Sequence, residues 1–159
     1  VLGVLLRDPH LLYPLDRLLQ ENKLERLSQH DFQRAAYQEI FLCLKKSIQQ
    51  EEIEPYKFIQ GILPQPLYDV LDRLYALTEK EDLKDTRLLD ELLRSVLWLR
   101  RATLLRQKEA LDIQLMEAQE VQDQKHLAEL QLVINEYLRW MASYDRALSK
   151  IHPPTVLRS

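Results

Sequence analysis

The sequence predicts an all-α fold: an N-terminal multi-helix bundle joined by a long helix to a C-terminal antiparallel helical hairpin. Three observations carry this. From Thr86 to Ile151 there is no glycine and no proline. Within that stretch Leu127, Leu130, Ile134, Tyr137, Met141, Tyr144, Leu148 and Ile151 recur at alternating steps of three and four. That is coiled-coil spacing, and it needs another helix against it. The 159-residue chain also holds only two glycines, Gly3 and Gly61, too few for the turns of a β-rich protein.

The elements follow in order. Val1 to Arg7 is a short apolar helix. Asp8-Pro9 stops it, because the residue before proline avoids the α region; Asp8 then caps the next turn with Pro9 at the first helical position. A second helix runs from His10 to Gln20, and Leu24 and Leu27 pin down the irregular stretch after it. Ser28 to Asp31 resembles a capping box, so a helix is expected from Ser28 to about Gln50, with Phe32, Ala36, Ile40, Leu44 and Ile48 on its inner face. Pro55 opens a short helix to about Gly61, and Leu63 to Pro66 forms a rigid elbow. Leu67, Val70, Leu71, Leu74 and Leu77 mark a further helix, and Glu79 to Asp85 is a charged, solvated loop.

Residues 1–85 thus read as the bundle, 86–151 as the long helix and hairpin, and 152–159 as a tail. In the long helix Leu97, Leu104, Leu111, Leu115 and Ala118 continue an apolar seam, with Arg101 and Lys108 at seam positions. The chain turns between Glu120 and Gln124, with Asp123 as the cap of the returning helix. An antiparallel fold about Asp123 sets Tyr137 against the region of Glu109 and Ile151 against that of Ser95. The leucines of Thr86 to Arg94 are left to pack on the N-terminal helices.

Charge argues against a phosphate partner. The net charge is −3. Residues 86–151 hold ten basic and ten acidic side chains, and residues 1–85 eleven basic and fifteen acidic, so neither half has a basic excess. A protein partner is expected, with no direct contact to nucleic acid. Arg100, Arg101 and Arg106 are offset by Asp90, Glu91 and Glu109. Cys43 is alone, so neither a disulfide framework nor a thiolate metal site can be built, and a buried core thiol is expected. His10, His30, His126 and His152 share no ligand spacing. No phosphate loop, nucleophile triad or carboxylate cluster is present, and the acidic run Glu51, Glu52, Glu54 reads as a solvated connector. No catalytic residue, metal or cofactor is expected. Nor is a membrane span or a signal peptide. The chain starts at Val1, inside an apolar run, and is expected to be a piece of a larger protein.

What remains is surface. Ile113 and Met116 on the first arm, and Leu132, Leu138, Arg139 and Trp140 on the second, lie off the seams. They are the expected partner-binding residues.

Three stretches carry a resemblance. Val1-Leu2-Gly3-Val4-Leu5-Leu6-Arg7-Asp8-Pro9 resembles the opening of the helical C-terminal domain of bacterial DnaG-type primases, and also that of the related N-terminal domain of DnaB-type replicative helicases. Leu27 to Leu44, with Asp31-Phe32 and Ile40-Phe41, is similar to the next part of both. Leu97 to Leu105, followed by a charged hairpin and a short tail, is similar to the primase version. The resemblance implies a non-catalytic helicase-binding domain, monomeric alone and located in the bacterial cytoplasm. It would recruit a primase to the hexameric DnaB-type helicase and modulate that helicase during primer synthesis. The parent's metal-dependent polymerase core would lie upstream. The rival readings are the helicase's own N-terminal domain, a generic coiled-coil scaffold and an enzyme with an all-α site.

Overall fold

The computed structural model describes residues 1–151; the expected tail at 152–159, including His152, lies outside the described residues. Among the described residues the fold is all-helical, with no strand. Its α-helices are α1 (Leu2–Arg7), α2 (Leu12–Glu21), α3 (Ala35–Ile48), α4 (Pro55–Ile62), α5 (Tyr68–Leu77), α6 (Leu88–Glu120) and α7 (Gln124–Lys150). The chain divides into two compact units, Val1–Val96 and the part from Leu97 onward, and the division falls inside α6.

In the first unit the punctuation residues do what their chemistry dictates. Asp8 accepts the His10 N–H at 3.2 Å, and Pro9–Leu11 forms a single 3-10 turn before α2. The Glu54 carboxylate accepts the N–H groups of Tyr56 and Lys57, each at 3.1 Å, with Pro55 opening α4. These are N-terminal donors that have no partner inside a helix. Leu24 and Leu27 are buried, and the Leu27 N–H donates to Asp16 at 2.9 Å, which ties the irregular stretch to α2.

One boundary is corrected. The capping box at Ser28 is present, with the Ser28 N–H donating to Asp31 at 2.9 Å, but it caps only a 3-10 turn, Gln29–Asp31. Phe32 then takes extended backbone (φ −103, ψ 128), and α3 starts at Ala35. The extended residue is buried, its ring centroid 5.3 Å from that of Phe41. Tertiary burial of Phe32 therefore prevails over continuation of the capped turn. The Gln38 amide closes the gap by donating to the Phe32 carbonyl at 2.7 Å.

The core of this unit is aliphatic. Leu5, Leu6, Leu15, Leu19, Ile40, Leu44, Ile59 and Leu71 are fully buried with Phe41. Cys43 is buried as well, and burial pushes its thiol pKa up, away from the reactive thiolate. Helix α1 packs on α3, α4 and α5, and α3 packs on α4. Gly3 sets the distance between α1 and α5: a Cβ there would stand 2.6 Å from the Leu74 carbonyl oxygen. Leu88, Leu92, Leu93 and Val96, on the first turns of α6, are buried and belong to this unit.

A polar cluster lies beside the α1–α5 contact. The Arg7 guanidinium lies 3.9 Å from the centre of the Tyr75 ring and donates to the Thr78 hydroxyl at 2.9 Å and to the Tyr75 carbonyl. The Tyr56 ring lies tilted against that of Tyr75 with centroids 4.2 Å apart, and its hydroxyl donates to Asp72 at 2.7 Å. Burial first, and then the bond to Asp72, push the Tyr56 pKa up. Protonated Tyr56 therefore favours the folded state below its unfolded pKa of about 10, and that contribution is lost as pH rises towards the folded value. Stability measured by urea titration should fall more steeply above pH of about 10 in the unsubstituted chain than in Tyr56→Phe. Equal slopes would show that Tyr56 does not couple to folding.

In the second unit, the Gln122 backbone is left-handed (φ 53) and the Asp123 carboxylate accepts the His126 N–H at 3.1 Å, opening α7 without a glycine. Along α6, Leu97, Arg101, Leu104, Lys108, Leu111, Leu115 and Ala118 are buried or half-buried. Along α7 the same is true of Leu127, Leu130, Ile134, Tyr137, Met141, Tyr144, Leu148 and Ile151. The charges in the α6 seam are paired: Arg101 reaches Asp145 at 2.8 Å, 44 residues away, and Lys108 reaches Asp112 at 2.8 Å.

Candidate interaction surface

At about 100° per residue, a side chain two positions from a seam residue points away from that seam. Ile113 stands in this relation to Leu111, and Leu132 to both Leu130 and Ile134. Both are exposed, Ile113 to 60% and Leu132 to 71%, and Met116 (63%), Leu138 (45%) and Trp140 (38%) are exposed as well. Arg139 is exposed too.

These residues do not form one continuous patch. Ile113 and Met116 are three apart on α6 and share the side turned away from its seam. Leu132 and Arg139 are seven apart and share the back of α7. Leu138 and Trp140 lie on opposite sides of Arg139, so they take the two flanks of α7. Trp140 also leans along its helix on Tyr144, with centroids 6.3 Å apart, and so widens the seam.

Further exposed apolar residues escaped the sequence reading. Trp98, Leu99 and Leu105 on α6, Val121 at the turn and Val133 on α7 are all exposed. Trp98 and Leu105 are one heptad apart, beside the Leu97–Leu104 seam positions, and that spacing was the available signal. Arg101 lies 5.7 Å from the Trp98 ring centre, which gives this flank a cationic neighbour. The polar groups around these residues pair locally: Gln131 with Asn135 at 3.1 Å, Arg146 with Ser143 at 3.0 Å, and His126 with Glu129 at 3.9 Å.

Among the described residues no group of three histidine, cysteine or acidic side chains is placed to hold a metal ion, and no helix is long and apolar enough to cross a membrane. No family model, curated protein or solved structure matches the chain.

Proposed function

We propose that this chain is a non-catalytic interaction domain of a bacterial DNA primase that docks on the hexameric DnaB-type helicase in the cytoplasm. In this reading α6 from Leu97 and α7 form an antiparallel hairpin, and the hairpin is the docking element. The observation that carries the proposal is the division of labour in the second unit. The three-four seams are withdrawn from solvent, while large apolar side chains off the seams stay in it. The Arg101–Asp145 pair lies in the register that a fold about Asp123 gives. Net neutrality over 86–151 favours a protein target over a polyanion. The primase assignment rests on the resemblance of Val1–Pro9, Leu27–Leu44 and Leu97–Leu105.

Titration of the chain against a hexameric DnaB-type helicase tests this. Association at micromolar concentration is expected. The double substitution Ile113→Glu, Leu132→Glu should weaken it about tenfold or more, as loss of buried apolar anchors does, with helix content unchanged. No association at micromolar concentration overturns the helicase reading, and full binding by the double variant overturns the surface. Sedimentation separates the rival helicase-domain reading, because a ring-forming domain would assemble alone.

A further inference from the structure

The first unit carries a small notch, of about 180 Å³, lined by Gln60 of α4 and Tyr68, Leu71 and Asp72 of α5. We propose that this notch receives one arginine side chain from a partner polypeptide, a contact separate from the α6–α7 surface and independent of the helicase reading.

Each lining group has a matching part on arginine. One Asp72 oxygen accepts the Tyr56 hydroxyl at 2.7 Å. That bond fixes the carboxylate and leaves its second oxygen as an acceptor for a guanidinium N–H. Tyr68 is exposed and offers a ring face for guanidinium stacking. Gln60, exposed and lining the notch, carries a side-chain amide whose oxygen can accept. Leu71, fully buried, closes the base of the notch with hydrocarbon.

Charge and size narrow the occupant further. Residues 51–73 contain five carboxylates, Glu51, Glu52, Glu54, Asp69 and Asp72, against two cations, Lys57 and Arg73. The cation Arg7 is committed to the Tyr75 ring and to Thr78. The local field therefore attracts a cation and repels an anion. The volume falls below the few hundred cubic ångströms of sites that enclose a whole small molecule, which fits a single side chain carried on a larger body.

The test uses nitrogen-15 spectra of the full chain, titrated at constant ionic strength with N-acetyl-arginine amide, N-acetyl-lysine amide and agmatine. The blocked arginine should move the Gln60 side-chain amide and the Tyr68 and Leu71 signals saturably, in the millimolar range. The blocked lysine should bind about threefold more weakly or worse, because it cannot fork or stack. Asp72→Asn keeps an oxygen for the Tyr56 hydroxyl but removes the charge, and should weaken arginine about fivefold. Tyr68→Ala, at an exposed position, should weaken it about threefold. Unsaturable shifts, or equal affinity in both variants, overturn the notch. Agmatine binding more tightly than blocked arginine assigns the notch to a free guanidino compound and overturns the polypeptide occupant.

Discussion

Ile134→Asp should cost the second unit about 4 kcal/mol or more, through loss of a buried branched side chain and burial of an unpaired carboxylate. Ile134 is 4% exposed in the middle of the α7 seam, whereas Leu132, two residues earlier, is 71% exposed. Leu132→Asp should therefore change stability by no more than about 0.5 kcal/mol. Domains of this size are stable by roughly 5–15 kcal/mol, so the first substitution removes a large share of what holds α7 in place. Hydrogen exchange along α7, with urea titration of both variants, reads the difference. The expected result is lost protection in Ile134→Asp and native protection in Leu132→Asp. Similar behaviour of the two would refute the separation of seam from surface, and the docking proposal with it.

Gly3→Ala should destabilise the first unit by about 2 kcal/mol, against the usual preference of helices for alanine. Propensity alone would favour alanine by about 1 kcal/mol. The new methyl group, however, meets the Leu74 carbonyl oxygen at 2.6 Å and the Thr78 Cγ2 at 2.8 Å. The first of these is backbone, so α1 and α5 must separate, at the cost of about 1–3 kcal/mol that overpacking carries. Separation also disturbs the Thr78 hydroxyl, 3.1 Å from the Gly3 carbonyl and the acceptor of Arg7. Gly61→Ala is the control. It sits in α4 with nothing within 4 Å of its added carbon, and should gain up to about 1 kcal/mol. Thermal unfolding of the pair should give shifts of opposite sign; a gain in both would show that α1 and α5 have room to spare.

Periodicity made most of the helices legible in the sequence, because burial in a helix repeats every three to four residues and leaves a readable trace. Asp8, Pro55 and Asp123 announced helix starts through chemistry that acts within three residues. What failed to show was long-range. The stop at Phe32 comes from its contact with Phe41, and a local capping signal carries no information about that. The cluster of Arg7, Tyr56, Tyr75 and Thr78 joins residues as many as 71 apart in sequence, and each of them alone reads as ordinary surface. At the candidate surface, Ile113 and Leu132 were legible because they oppose a seam. Trp98 and Leu105 were hidden in the run Leu97 to Leu105, whose apolar residues occur on every side of the helix.

The division inside α6 has a consequence for how such a chain can be inherited. Units separated by a loop can be shuffled between genes, since a cut in a loop breaks no ordered backbone. Here the cut would fall between Val96 and Leu97, within 33 residues of unbroken helix. It would sever the roughly four backbone hydrogen bonds that span any point in an α-helix. Insertions and deletions at this junction are thus far more disruptive than the same changes at Glu79–Asp85 or Val121–Asp123. Length variation among descendants of this gene should collect at those two turns, and the two units should travel as one heritable piece.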